Sequence, residues 1–139
     1  MELKVELESA EPKSVEATFD EIFQHAMRSQ PQIQHIVVTS EQGLVIAFKA
    51  RLKGAEQRIA ALSPVLGDAG EAVFNALSLT PLGEIMLIGA EGTAYFARLK
   101  TAPAFLLVGA KGQVNIGLLR IIAADIESSA GGVLQKVLR

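Results

Sequence analysis

The sequence predicts an α/β chain, specifically an α+β sandwich in which helices cover both faces of one sheet. Two observations carry this reading. Apolar residues recur at three- and four-residue spacing in three long segments. They fall into β-branched or alternating runs in the others, in the order helix, two strands, helix, three strands, helix. In addition, Ile36-Val37-Val38 and Leu44-Val45-Ile46 are apolar on both faces. A strand with one wet face avoids that pattern, so helices must supply cover on each side.

Along the chain, Leu3, Val5 and Leu7 alternate with Glu2, Lys4, Glu6 and Glu8, the period of a short half-exposed strand within residues 1–11. After Glu11-Pro12, Ser14 can cap a helix that carries Val15, Phe19, Ile22, Phe23, Ala26 and Met27 to about Ser29. Gln30-Pro31 stops it, because the residue before proline is pushed out of the helical region. Ile33–Ser40 and residues 44–50 read as a hairpin about Glu41-Gln42-Gly43, the glycine supplying positive φ.

Residues 56–78 return to helical spacing, with Ile59, Leu62, Leu66, Ala69, Val73 and Leu77 as one stripe. A neighbouring stripe, Ala60, Ser63, Gly67, Gly70 and Phe74, is made mostly of small residues. Each glycine inside a helix costs about 1 kcal/mol relative to alanine, so something should compensate. One reading is close packing of a second backbone, as at a helix crossing between subunits. The other is a break, since Ser63-Pro64 is a good start for a new helix.

Thr80-Pro81-Leu82-Gly83 is a turn, followed by strands at 84–88, 93–99 and 104–108. Gly109-Ala110-Lys111-Gly112 should then lead into a last helix capped by Asn115 and apolar along Ile116, Leu119, Ile122, Ala123 and Ile126. Gly131-Gly132 should end or bend it, leaving 130–139 as a tail or a helical extension.

At 139 residues, half of them apolar, the chain can build one core and not two, so residues 1–139 form a single domain. Thirteen basic against fifteen acidic side chains give a net charge of −2, with no basic run. The electrostatic footprint for nucleic acid is therefore missing. No apolar stretch approaches the roughly 18 residues of a membrane span, and the N-terminus lacks a signal-peptide core, so a cytoplasmic protein without membrane insertion is expected. The absence of cysteine fits a reducing compartment and removes thiolate chemistry.

The catalytic inventory is poor. His25 and His35 have no second histidine or acid at ligand spacing, and no G-x-S-x-G elbow occurs. Gly109-Ala110-Lys111-Gly112 lies where a loop could hold a phosphate, but it matches neither dinucleotide nor Walker spacing, and a plain turn is the simpler reading. Asp20 with Glu21, and Asp125 with Glu127, do not face each other on their helices. Arg28, Arg51, Arg58, Arg98 and Arg120 could in principle act in trans on a GTPase, and nothing in their settings singles one out. No catalytic residue, cofactor or metal is expected.

With this order in hand, the chain resembles the Roadblock family, which includes dynein light chains, MglB proteins and small Ragulator subunits. The resemblance rests on four segments: the strand-turn-strand from Ile36 to Ala47, Ala60-Ala61-Leu62 opening the central helix, residues 83–88, and Asn115-Ile116-Gly117-Leu118-Leu119-Arg120 opening the last helix. Together they span about 14–129. Pro64, residues 1–11 and Gly131-Gly132 depart from the pattern.

The resemblance implies a profilin-like, five-stranded antiparallel sheet, with the central helix on one side and the terminal helices on the other. It further implies a homodimer formed by pairing the third strands and laying the central helices together. The expected interface is Ala60, Ser63, Gly67, Gly70, Phe74, Ile85, Met86 and Leu87. The alternative keeps these residues inside a monomer core. Functionally, the resemblance implies a non-enzymatic module that binds or activates a small Ras-like GTPase. Alternatives are a scaffold subunit of a dynein- or Ragulator-like assembly and a small-molecule sensing domain.

Overall fold

A computed structural model describes residues 14–137. The strand expected at 3–7 lies outside the described residues. Three helices, α1 (Val15–Ser29), α2 (Glu56–Ala76) and α3 (Ile116–Val137), accompany five strands: β1 (Ile33–Ser40), β2 (Val45–Ala50), β3 (Glu84–Gly89), β4 (Gly92–Arg98) and β5 (Ala104–Lys111). All strands join one antiparallel sheet in the order β2-β1-β5-β4-β3.

Local chemistry sets the element ends. The Ser14 hydroxyl accepts the Ala17 N–H at 3.1 Å, satisfying one free donor at the start of α1. Asn115 does the same for Leu118 at 2.9 Å at the start of α3. Gly43 adopts φ 89° in the β1–β2 turn. A side chain there would also press on the Ala60 carbonyl and Pro64, so the turn lies directly against α2.

Alternation along the strands divides the core. Ile36, Val38, Tyr95, Leu106 and Val108 face α1 and α3, meeting Phe19, Phe23, Met27, Leu119, Ile122 and Ile126. The opposite face carries Val37, Thr39, Phe96 and Phe105, all buried, and α2 lies across it against β1, β2 and β5. The central helix is thus on one side and the terminal helices on the other.

Three local expectations are resolved or corrected. Helix α2 runs unbroken through Pro64, and α3 runs unbroken through Gly131-Gly132. Gly131 is buried where α3 crosses the β4–β5 loop, and a Cβ there would sit 2.4 Å from the Thr101 hydroxyl; the glycine serves close approach rather than termination. Gly109-Ala110-Lys111 is not a loop: it completes β5, paired with Ile33 and His35 on one side and Gly92, Thr93 and Ala94 on the other. Backbone amides committed to two ladders are not available to cradle a phosphate.

Candidate interaction surface

Close approach of α2 to the sheet explains its composition. Phe96 and Phe105 stack with centroids 5.2 Å apart, and a Cβ on Gly67 would lie 3.2 Å from the Phe105 ring. Ala60, Ser63 and Gly67 are buried beneath the helix, and the Ser63 hydroxyl is satisfied by the Ile59 carbonyl at 3.0 Å. A Cβ on Gly70 would collide with Leu82 and Ile85 of the same chain. The small-residue stripe therefore compensates its helix-propensity cost against its own sheet. Ala60, Ser63 and Gly67, expected to meet a second helix, are instead buried within the single chain, and at Gly67 the two stacked rings leave no room for a larger side chain.

The consequence lies on the neighbouring face of α2. Leu62 is 55% exposed, Val73 56% and Leu77 59%, with Val65 beside them. Large aliphatic side chains that ordinarily form the core-facing stripe of an amphipathic helix here point to solvent. Helical periodicity could reveal two apolar stripes; it could not say which one the sheet would take.

Strand β3 adds to this surface. It ends the sheet, hydrogen-bonded to β4 alone among the described strands. Ile85 and Met86 are half-buried, Ile85 toward α2 and Met86 against the α1/α3 core. Leu87 is exposed, and Ile88, which was not among the expected residues, is 66% exposed. Phe74 and Gly70 are half-buried at the end of α2 that borders β3. An apolar strand edge beside an apolar helix face is an unusual surface for an isolated chain to present.

Charged groups near this surface are largely committed within the chain. Arg98 pairs with Glu41 and lies 4.7 Å over the Phe105 ring. Arg120 of α3 pairs with Glu84 at the start of β3. The buried Tyr95 hydroxyl donates to that same carboxylate; burial first, then the Glu84 charge, push its pKa up to about 12. Arg51 donates to the Ile33 and Met27 carbonyls at 2.9 and 3.3 Å, and Lys49 pairs with Asp20 at 2.8 Å. Arg28 and Arg58 are exposed. His25 lies exposed in a groove between α1 and α3, and His35 is half-buried in β1. Among the described residues no helix is long and apolar enough to cross a membrane.

No family model matches the sequence, and no curated protein matches it. Solved structures do. The gliding protein MglB from Thermus thermophilus is 14% identical, with a TM-score of 0.78 over 91% of this chain and 96% of its own. An MglB with a tetrameric arrangement is 14% identical, with a TM-score of 0.79 over 91% and 95%. A Roadblock/LC7 domain from Streptomyces avermitilis is 16% identical, with a TM-score of 0.71 over 79% and 92%. The architecture built above from α2 on one sheet face and α1 with α3 on the other is, in its fold, that of MglB and the Roadblock/LC7 domains.

Proposed function

We propose that this chain is a non-enzymatic interaction module that self-associates and, as a homodimer, binds a small Ras-like GTPase and regulates its hydrolysis. The observation that carries the reading is the unpaired β3 edge beside the exposed apolar face of α2. Pairing two β3 edges extends the sheet across a two-fold axis and removes the free edge from each copy. Leu62, Val65, Val73 and Leu77 then provide apolar area for helix contact, with Leu87 and Ile88 at the strand. This reading keeps Leu87 and half-buried Ile85, Met86, Gly70 and Phe74 of the expected interface. It moves the helix contribution from the buried small residues to the exposed large ones.

The likeness of fold to MglB, one example of which has a tetrameric arrangement, supports self-association. The GTPase follows from the family resemblance, and regulation would act by arranging the GTPase's own catalytic groups. Molar mass by light scattering, alone and with a GTP-loaded small GTPase of the source organism, tests both parts. A dimer that gains mass with the GTP form and changes its hydrolysis rate is expected. A monomer would overturn the interface, and a dimer indifferent to every such GTPase would overturn the regulatory role in favour of a scaffold.

A further inference from the structure

The helical layer on the sheet face away from α2 carries a groove that the self-association reading does not use. Just past the end of α1, the Gln32 side chain donates to the Gln113 carbonyl just before α3, at 2.6 Å, so the two helices run antiparallel with the end of one beside the start of the other. Between them lies a groove of about 410 Å³ whose floor is Ile22, Ala26, Ile122 and Ile126. Ala26 supplies only a methyl at this contact, which leaves the space between the helices unfilled. Each helix places one carboxylate on the groove, Glu21 from α1 and Asp125 from α3. Asp125 is exposed and forms no ion pair with any described residue. Ser29 and Ser129 stand on the same walls; the Ser29 hydroxyl donates to the His25 carbonyl at 3.0 Å, so its free lone pairs can only accept. Among the described residues no lysine or arginine lines the groove. One turn before Ile122, the apolar surface continues along α3 through Leu118, 40% exposed, and Ile121, 65% exposed.

We infer that this groove docks a basic amphipathic helix of a partner protein, with aliphatic anchors on Leu118, Ile121 and the apolar floor and a lysine or arginine between Glu21 and Asp125. The charge pattern selects that occupant. A long basic side chain lays its apolar stem over Ile122 and Ile126 and brings its charged head to carboxylates on both walls. A purely apolar helix would cover the carboxylates without a counter-charge, and an acidic one would be repelled. Along α3 the seven residues from Leu118 to Asp125 span about 10 Å, so an aliphatic anchor and a basic residue two turns apart on the incoming helix match the two ends of the site. The groove uses neither the β3 edge nor the exposed face of α2. It stays accessible whether or not two copies pair, and the inference stands or falls separately from the self-association reading.

Titration of the full chain with a synthetic amphipathic helix of leucine and lysine, followed by amide NMR shifts, tests it. Saturable shifts are expected at residues 21–29 and 118–129. They should weaken with added salt and be absent with the same peptide carrying glutamate in place of lysine. Asp125→Lys, on an exposed position, should weaken binding about fivefold or more, and Ile121→Ser should weaken it through the aliphatic end; neither should change the melting temperature or the mass in light scattering. The proposal is overturned by the lack of any saturable shift, by an equal response to the lysine and glutamate peptides, or by an affinity that Asp125→Lys leaves unchanged. Shifts confined to residues 56–77 and 84–89 would also overturn it, by assigning the peptide to the α2 and β3 surface.

Discussion

Tyr95 illustrates how one buried polar group reports on the fold. It is the only tyrosine in the chain, so its titration can be followed by ultraviolet absorbance without ambiguity. Its pKa should lie near 12 in the folded protein and near 10 once unfolded. Between these values the unfolded chain loses its proton first, so the folded state binds more protons and stability falls as pH rises from about 10 to 12. Below pH 10 this group adds no pH dependence. A Tyr95 midpoint near 10 in the folded protein would show that the hydroxyl is neither buried nor held by Glu84. Two glycines give a second test at this scale. A Cβ on Gly92 would meet the Ala110 carbonyl oxygen at 2.4 Å, and backbone cannot swing aside, so Gly92→Ala should destabilise by about 1–3 kcal/mol. Gly132 faces open space within α3, so Gly132→Ala should stabilise by about 0.5–1 kcal/mol. Thermal melting of the two variants should therefore shift in opposite directions.

At the scale of elements, α2 has two apolar sides with different tasks. Ser63→Leu forces a large side chain into the buried side of α2 and should lower stability by about 1–3 kcal/mol in urea melts. Leu62→Asp and Val73→Asp alter the exposed side, so they should leave the melting midpoint nearly unchanged while weakening self-association in light scattering. If instead the exposed-side variants lose stability and keep their mass, the surface belongs to the monomer fold. The start of α3 is independent of this question. Asn115→Ala removes the Leu118 N–H acceptor and should cost about 1 kcal/mol.

Much at this scale was legible in the sequence, because it depends on neighbours along the chain. The bounds of α1 follow from Ser14 at one end and Gln30-Pro31 at the other, and β1 follows from a β-branched run closed by a glycine turn. What failed did so for a nonlocal reason. Gly109-Ala110-Lys111 has loop composition, yet strands on both sides hold it in β5. Gly131-Gly132 has the composition of a helix end, yet α3 continues through both, with Gly131 buried close against Thr101.

For the whole molecule, the order of the described strands places β2 and β3 at their two edges. If the β3 edge pairs between copies, Ile88→Lys should lower the mass measured by light scattering toward the monomer without unfolding the sheet, since Ile88 is exposed in the single chain. A mass unchanged by this variant would point to association through another surface. The order of helices and strands, the resemblance to a Roadblock-type domain, and the lack of a recognisable catalytic motif were all set by the sequence alone. They rest on periodicity, capping and turn chemistry, which act over a few residues. Which stripe of α2 meets the sheet, which strands become edges, and where Tyr95, Glu84 and Arg120 converge were decided only by tertiary structure. Both stripes of α2 are apolar enough to be buried, and the choice between them depends on the shape of a sheet face assembled from residues distant along the chain.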